Sequence, residues 1–214
     1  MEDYPFHGSE APHTAAYLWP RVVGLLRVPS PEFGPICRVV DVGAGNGAFA
    51  ARLAELGYRV TAVEPSASGI ETMRAAHPSL ESVRASAYDD LSALHGSFDA
   101  AVALEVVEHC YYPRRLASTL AALVRPGGVV IVSTPYHGYW KNLALALAGR
   151  WDDHFTALWD HGHIKFWSAR TLATLLTGAG LVVEETLRVG RLAPLAKSLV
   201  LMARRPTPGS GPRP

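Results

Sequence analysis

Short apolar runs alternate with longer amphipathic stretches through the middle of the chain. The first run, residues 38–42, reads Arg-Val-Val-Asp-Val and is typical of a buried strand because of its β-branched side chains. Residues 47–56 follow with Phe49, Leu53 and Leu56 at helical spacing. The alternation continues to residue 133 and is typical of a parallel α/β sheet. We expect strands at 38–42, 58–63, 80–85, 97–104 and 129–133, and helices at 47–56, 69–76 and 113–124.

The C-terminal part of the chain continues this pattern with one more helix and two strands. Ser168 is a suitable N-cap for the helix, and strands are expected at 181–187 and 199–203. The link 190–197 is too short for the helical crossover that parallel neighbours require, so the last two strands should pair antiparallel. The pattern therefore predicts an α/β fold. It is a Rossmann-like, doubly wound, seven-stranded sheet, mostly parallel with an antiparallel last strand, and with helices on both faces.

Three parts are expected around this sheet. Residues 1–37 form an N-terminal helical cap segment with a helix at 15–26. Residues 38–205 form the main domain, in which 135–167 are an insertion that a minimal strand-to-helix connection does not require. Residues 206–214 are rich in Pro and Gly and form a flexible tail.

Composition narrows the classes of function. Twenty Lys and Arg stand against 19 Asp and Glu, a formal net charge of +1, so we expect no nucleic-acid partner. Apolar runs such as 143–148 are too short to span a bilayer, and Glu2 and Asp3 stand where a secretory signal is basic. Cys37 and Cys110 form no CxxC pair, which favours a reducing compartment. We therefore predict a cytoplasmic protein without a transmembrane segment, as a monomer or homodimer.

A glycine-rich turn follows the first predicted strand. Gly43, Gly45 and Gly47 have the spacing GxGxG, and glycines here allow a sharp turn with a ligand against the backbone. The dinucleotide fingerprint is GxGxxG, which argues against an NAD-dependent oxidoreductase, the alternative on a similar sheet. Glu64 closes the second strand 21 residues after Gly43, where a carboxylate can accept both hydroxyl groups of a ribose.

These motifs resemble those of the class I S-adenosylmethionine (SAM) dependent methyltransferases. VVDVGAGNGAFA at 39–50 resembles motif I, and VTAVEP at 60–65 resembles motif II. LEVVEH at 104–109 and PGGVVIVSTP at 126–135 are most similar to the ubiquinone-biosynthesis O-methyltransferases. The resemblance covers about residues 38–203. It implies that 38–205 are a SAM-binding methyltransferase domain whose cofactor product is S-adenosylhomocysteine.

Carried over position by position, the resemblance implies a cofactor site at the carboxyl ends of the strands. Asp41, Gly43 and Gly45 would face the methionine moiety, Glu64 the ribose, and residues 86–88 the adenine. Many relatives have an Asp near residue 86 for the adenine amino group, whereas this chain has Ser-Ala there. The expected cofactor-binding residues are Asp41, Gly43, Gly45, Glu64, Pro65, Ser86, Ala87, Tyr88, Leu104 and Glu105.

The insertion 135–167 concentrates histidine and tryptophan. It holds four of the nine histidines and four of the five tryptophans. A segment after the fifth strand of this topology stands over the methyl group, so we expect an acceptor lid with aromatic walls and polar groups. The alternative is a structural helical hairpin whose tryptophans pack on the core. Together with Tyr17 of the N-terminal helix, the expected substrate-binding residues are Tyr17, His137, Trp140, Trp151, His161 and Lys165.

Two further features lie in the insertion or directly after it. Residues 142–149 read as an apolar helix that could touch a membrane, but they lack a sizeable basic flank, so burial in the core or in a dimer contact is favoured. Lys165 and Arg170 are candidates to meet an anionic group on the acceptor.

Histidine supplies the candidate general base. His109 follows the fourth strand at the edge of the same crevice, and an imidazole suits proton removal from a phenol or enol. The alternative is a hydrogen-bonded histidine that only shapes a strand-to-helix junction. Glu105 is expected to line the SAM pocket, and Glu108 to be solvated or paired with a nearby arginine. The candidate catalytic residues are His109, His154 and His163.

A divalent metal ion is another alternative that the sequence leaves open. The acidic and histidine residues of 105–109, 152–154 and 161–163 offer the ligands that such an ion takes. A bound ion would lower the pKa of an acceptor hydroxyl as a Lewis acid. The spacing matches no tight metal signature, so a metal is not favoured and no metal ligands are assigned.

We therefore predict an enzyme that moves a methyl group from SAM to a small-molecule acceptor, at a hydroxyl of an aromatic or quinol-like compound. N-, C- or S-methylation of another metabolite is the main alternative, because the SAM half of such a site does not depend on the acceptor atom. A non-catalytic SAM-binding module is a further one.

Overall fold

The computed structural model describes residues 4–6, 8–155 and 157–208, apart from the side chains of residues 153, 154 and 193. Seven strands form one sheet. They are β1 (Arg38–Val42), β2 (Arg59–Glu64), β3 (Glu81–Arg84), β4 (Phe98–Leu104), β5 (Val124–Pro135), β6 (Val182–Val189) and β7 (Ser198–Arg204). The helices are α1 (Ala15–Leu26), α2 (Ala48–Glu55), α3 (Ala67–Ala76), α4 (Pro113–Leu123), α5 (Tyr139–Leu147), α6 (Trp151–Phe155) and α7 (Ala169–Gly178).

The strand order is β3-β2-β1-β4-β5-β7-β6, with β1 to β5 parallel to one another. β7 lies between β5 and β6 and runs antiparallel to both. The predicted fold class is thereby confirmed. The carboxyl ends of β1 to β6 lie at one edge of the sheet, and the order reverses between β1 and β4, where such sheets bind ligands.

Neighbouring side chains of β1 enter two different core layers. Val39 packs on the side of α1, α2 and α3, whereas Val40 packs on the side of α4 and α7. This alternation places helices on both faces, because successive strand residues point to opposite faces. At the start of α7, the Ser168 hydroxyl accepts a hydrogen bond from the Thr171 N–H and the Thr171 hydroxyl accepts one from the Ser168 N–H, a capping box that fixes the helix where the sequence predicted its cap.

β5 begins earlier than the sequence predicts. It starts at Val124, directly after α4, and not at residue 129. Phe98 pairs with Val124 and Ala100 with Val129, so residues 125–128 bulge out of the ladder. Gly127 has a φ of +79°, a left-handed conformation that glycine adopts without strain and that allows the bulge.

Of the two favoured alternatives for residues 142–149, burial in the core is wrong, and a dimer contact stays a prediction. Helix α5, which covers most of them, has no buried residue, and the Leu147 side chain is 80% exposed. α5 lies instead against the short 3₁₀ turn Ala193–Leu195 between β6 and β7. Among the described residues, no helix combines the length and the apolar character that a membrane span needs. The predicted tail lies partly outside the described residues, which end at residue 208.

Candidate functional site

The turn between β1 and α2 is built from three glycines in left-handed conformations. The φ angle is +77° at Gly43, +58° at Gly45 and +81° at Gly47. A Cβ atom on Gly43 would lie 2.6 Å from Val106 Cγ2, and one on Gly47 would lie 2.4 Å from Met73 Cγ. Conformation and packing both require glycine at Gly43 and Gly47, so no side chain projects from the turn at these two positions.

Glu64, at the end of β2, connects two loops of the crevice. Its Oε2 accepts a hydrogen bond from the Gly45 N–H at 2.8 Å, and its Oε1 accepts one from the Ser66 N–H at 2.8 Å. The carboxylate is buried. Charged acceptors of this kind make stronger hydrogen bonds than neutral ones, so Glu64 fixes both loops in place.

Asp41 places a second buried carboxyl group beside Glu64. Burial, and then the nearby negative charge of Glu64, raise the pKa of Asp41 to about 7. Carboxylates that are desolvated and close to a like charge bind a positive group favourably. The pair therefore suits a ligand that carries an ammonium or sulfonium charge.

Residues 86–88 follow β3 as a tight turn. The Asp89 carboxylate accepts a hydrogen bond from the Ser86 N–H at 2.7 Å, and the Ser86 hydroxyl accepts one from the Tyr88 N–H at 3.1 Å. The Tyr88 ring lies under the Arg115 guanidinium at 5.4 Å, and burial raises the pKa of Tyr88 to about 12. The acidic side chain at this turn therefore comes from Asp89, three residues after Ser86, where many relatives have an aspartate.

An N-terminal strap, residues 4–6 and 8–10, lies across the same crevice. The Ser66 and Ser68 hydroxyls donate to the Tyr4 carbonyl at 2.8 and 3.1 Å. The Asn46 side-chain amide donates to the Gly8 and Glu10 carbonyls at 2.7 and 2.9 Å.

The Phe6 ring of the strap lies against the bare faces of Gly45 and Gly69. A Cβ atom on Gly45 would lie 3.0 Å from that ring, and one on Gly69 would lie 3.1 Å from it. The sequence pattern did not predict this strap. The feature of the sequence that could have indicated it is the pair of aromatic residues Tyr4 and Phe6 in an otherwise polar segment.

Glu105, just after β4, lies in a polar cluster on the other side of the crevice. Its φ is +56°, unusual for a residue with a side chain, and the Ser133 hydroxyl holds it by accepting from the Glu105 N–H at 2.9 Å and donating to Glu105 Oε1 at 2.8 Å. Tyr17 Oη lies 3.3 Å from Ser198 Oγ in the same cluster. Burial raises the pKa of Glu105 to about 7, against the opposing effects of Ser133, Ser198 and the Lys141 charge. The expectation that Glu105 forms a wall of the SAM pocket stays a prediction.

His109 ends the 3₁₀ turn Val107–His109, which follows β4. Its Nδ1 lies 2.9 Å from the carbonyl oxygen of His161 and 3.1 Å from that of Gly162. Two acceptors at Nδ1 require that this nitrogen carries a proton and donates it, which leaves Nε2 of the neutral ring with a free lone pair. Burial lowers the pKa of His109, while the two carbonyl contacts oppose the shift.

The end of the insertion folds back onto this turn. The Ile164 and Lys165 N–H groups both donate to the Glu108 carbonyl at 3.0 Å, and Trp167 Nε1 donates to the Val107 carbonyl at 3.3 Å. These contacts bring the His163 ring to 4.9 Å from the His109 ring. Two of the three predicted catalytic histidines therefore lie together. The side chain of the third, His154, lies outside the described residues.

The expectation that Glu108 is solvated or paired with an arginine is wrong. Glu108 is only 1% exposed. Neither of its carboxylate oxygens has a hydrogen-bond partner of good geometry among the described residues. The Thr134 hydroxyl lies close enough to lower the pKa of Glu108, but this effect is smaller than those that raise it. Burial, followed by the negative charge of Glu105, raises the pKa of Glu108 well above its usual range. A carboxyl oxygen of Glu108 and one ring nitrogen each of His109 and His163 lie within 4.8 Å of one another.

The predicted substrate-binding residues fall into separate groups. His137 packs between the Phe155 and Phe166 rings at 5.9 and 4.9 Å, and Trp151 stacks on Phe155 at 4.5 Å. Tyr17 belongs to the polar cluster of Glu105, as described above. The His161 ring lies 6.0 Å from Tyr4 of the strap.

The side chains of the two remaining residues, Lys165 and Trp140, contact other aromatic rings. Lys165 Nζ lies 6.0 Å from the centre of the Tyr111 ring. Trp140 is 66% exposed and packs on Tyr139 of its own helix, so the structure does not bring it to the crevice.

The comparisons with known proteins agree with this geometry. A family model described as a methyltransferase domain matches residues 11–186, and the chain belongs to that family. The chain is 36% identical over 172 residues to the ubiquinone biosynthesis O-methyltransferase of Methylocella silvestris, which covers 75% of this chain and 64% of that protein. The chain thus spans less than two thirds of the length of this curated relative.

Solved structures share the fold. The S-adenosylmethionine dependent methyltransferase of Mesorhizobium loti superposes with a TM-score of 0.68 at 22% identity, covering 87% of this chain and 97% of that one. The 1,6-didemethyltoxoflavin-N1-methyltransferase of Burkholderia thailandensis, solved with its acceptor and S-adenosylhomocysteine, gives a TM-score of 0.59 at 21% identity, covering 81% and 72%.

Proposed function

We propose that this chain transfers a methyl group from SAM to a hydroxyl group of a small aromatic or quinol-like acceptor and releases S-adenosylhomocysteine. The observation that carries the proposal is the arrangement at the carboxyl edge of the sheet. A glycine turn tied to Glu64 and a histidine with a free Nε2 follow β1 and β4, the two strands between which the order reverses.

The cofactor half of the proposal rests on charge and on bare backbone. The methionine end of SAM carries an ammonium and a sulfonium, which suit the buried carboxyl group of Asp41 and the half-buried carboxyl group of Glu105. The ribose hydroxyls would donate to Glu64. The adenine would lie beside residues 86–88, and Pro65 and Leu104 would line the remaining walls.

The acceptor half rests on His109. The carbon–sulfur bond of the sulfonium breaks as the acceptor oxygen bonds to the methyl carbon, and the electron pair stays on sulfur. The hydroxyl proton passes to His109 Nε2, because Nδ1 is held by the His161 and Gly162 carbonyls. General bases of this kind contribute about 10²–10⁴ in rate.

Methyl transfer from labelled SAM to a panel of phenols, amines and thiols tests both halves. We expect SAM and S-adenosylhomocysteine, but not NAD, to raise the melting temperature, and label to appear on phenolic oxygen. H109Q should lower turnover at least 100-fold with little change in SAM affinity. H95Q, an exposed histidine away from the crevice, serves as the matched control. Label found only on amines or thiols would favour N- or S-methylation, and binding without transfer to any acceptor would favour a binding module.

A divalent cation at the same place is a second candidate, favoured by one observation. The buried Glu108 carboxylate lies beside His109 and His163 without a hydrogen-bond partner of good geometry among the described residues. The three groups offer one oxygen and two nitrogen donors, which are ligands that a divalent ion takes. Such an ion would act as a Lewis acid on the acceptor hydroxyl. Turnover measured after dialysis against EDTA separates the candidates. Full turnover supports the general base, and a loss that Mg²⁺ or Zn²⁺ restores supports the ion.

The compartment is also part of the proposal. Cys37 and Cys110 are both free thiols, which suits a reducing compartment such as the cytoplasm.

A further inference from the structure

We propose that the acceptor carries an anionic group, a carboxylate or a phosphate, and that a cationic pocket beside the methyl-transfer site binds it. The pocket is a cavity of about 290 Å³ whose charged lining is entirely basic. Its lining residues are Lys141, Leu145, Arg150, Arg191, Leu195, Ala196 and Lys197. The inference rests on the proposed function, since it names the class of acceptor for that site.

Three of the four cations of the pocket have no salt bridge within the described part of the chain. No described carboxylate lies within salt-bridge distance of Lys141, Arg191 or Lys197. Burial, and then the positive charge of Arg191, lower the pKa of Lys141, against the weaker opposing effect of the Glu105 charge. Like charges that converge in a partly closed space repel one another, and an anionic ligand removes that repulsion.

The pocket adjoins the polar cluster of Glu105. Lys141 Nζ donates to the carbonyl of Tyr136 at 2.9 Å, immediately after β5, and the Tyr136 N–H donates to the Lys197 carbonyl at 2.8 Å. Lys197 Nζ lies 5.0 Å from the centre of the Tyr17 ring, and Tyr17 Oη contacts Ser198. An acceptor whose hydroxyl lies near β4 can therefore extend an anionic group past Tyr17 into the pocket.

The size and charge of the pocket favour a small ligand. Its volume is at the lower end for small-molecule sites, and it is concave, unlike the extended basic face that a nucleic acid needs. The whole chain has a formal charge of only +1, so this is a local concentration of charge. Lys165, which the sequence predicts could meet an anionic group, lies over Tyr111, and that role stays a prediction.

A matched pair of acceptors tests the inference. With SAM present, we expect kcat/KM for 3,4-dihydroxybenzoate to exceed that for 4-methylcatechol at least tenfold. In the double variant R191Q/K197Q the ratio should fall to about one. R114Q, an exposed arginine on α4 outside the pocket, should keep the wild-type ratio. Far-UV circular dichroism confirms that each variant is folded.

Calorimetric titration with inorganic phosphate at low ionic strength separates the pocket from the reaction. Phosphate binding that R191Q/K197Q abolishes and R114Q retains supports the pocket. If neither catechol is methylated while phosphate still binds in this way, the proposed function is overturned and the pocket is not. A kcat/KM ratio near one in the wild type, or phosphate binding that persists in the double variant, overturns the inference. Binding to phosphatidylglycerol vesicles through Arg191 and Lys197, with no response to phosphate or dihydroxybenzoate, also overturns it and assigns these cations to a lipid headgroup.

Discussion

The Glu64 carboxylate accepts a hydrogen bond from the Gly45 N–H at 2.8 Å, so the end of β2 holds the glycine turn that follows β1. The other Glu64 oxygen holds Ser66 at the start of α3 in the same way. One buried side chain therefore fixes the two loops between which the cofactor ribose is proposed to lie. Hydrogen bonds within the protein that hold both loops reduce the ordering that ligand binding requires.

Glu64→Gln should weaken both the fold and cofactor binding. The Gln amide has one acceptor oxygen, so one of the two N–H groups loses its partner, and we expect a loss of about 1–3 kcal/mol in unfolding free energy. The SAM dissociation constant should rise at least tenfold, measured by calorimetry. E81Q is the matched control, because Glu81 accepts from the Thr61 hydroxyl at 2.8 Å on the far strand of the sheet. An E64Q affinity within twofold of wild type would remove Glu64 from the proposed ribose site.

Asp41 should destabilise the fold at high pH. Its pKa is raised to about 7 in the folded state from an ordinary value near 3.8, so the folded protein binds the proton more tightly than the unfolded chain does. Stability from this group is complete at pH below about 4 and is lost as the pH rises toward 7. D41N should therefore be more stable than wild type at pH 8, by about 2–4 kcal/mol, and nearly equal to it at pH 4.

Urea unfolding at pH 4, 6 and 8 measures that difference, with E71Q on the exposed face of α3 as the control. D41N should also bind SAM less tightly, because it lacks the charge that is proposed to face the methionine ammonium. Equal stability of wild type and D41N at pH 8 would contradict the raised pKa.

The sequence predicted best the features that depend on neighbouring residues. The β1 strand, the GxGxG turn and the antiparallel pairing of β7 follow from short patterns and from the length of one link, and all three are present in the fold. The bulge at Gly127 was missed because it depends on which residue of β4 faces each residue of β5.

The acceptor side was harder to predict because it depends on distant contacts. The N–H groups of Ile164 and Lys165 donate to the Glu108 carbonyl from more than 50 residues further along the chain. The strap was missed for the same reason, since Tyr4 meets Ser66 and Ser68 across about 60 residues. Amphipathic periodicity carries no information on such contacts. The roles assigned to Tyr17, His137 and His163 stay predictions.

Turnover should rise with pH through the pKa of His109 and then level off. Burial places that pKa below the ordinary value of 6.5, so Nε2 is already free to accept a proton at neutral pH. Initial rates between pH 5 and 8 at saturating SAM should include an ionisation below 6.5 that belongs to His109. H109Q should lack it, while H95Q should keep it. A profile that is unchanged in H109Q would assign the ionisation to another group.

The lowered pKa of His109 also makes the stability of the fold depend on pH, in the direction opposite to that for Asp41. The unfolded chain binds the proton more readily than the folded protein, so the contribution of His109 is complete above pH 6.5 and is lost as the pH falls. Wild type should therefore lose more stability than H109Q between pH 7 and pH 5. Urea unfolding at these two values is the measurement, and equal losses in the two proteins would contradict the burial of the ring.

Phe6 should slow the entry of the cofactor. Its ring lies against Gly45 and Gly69, on the bare backbone over which the ribose is proposed to lie, so the strap has to move before SAM can bind. F6A removes the ring and leaves the strap hydrogen bonds at Tyr4, Gly8 and Glu10 in place. We expect the association rate for SAM to rise about threefold to tenfold, because the strap then covers the cofactor site in a smaller fraction of the molecules. Stopped-flow tryptophan fluorescence measures it, with F33A, a ring that packs on Arg125 at the opposite edge of the sheet, as the control. A slower association or a much faster dissociation in F6A would mean that Phe6 closes over the bound cofactor instead of excluding it.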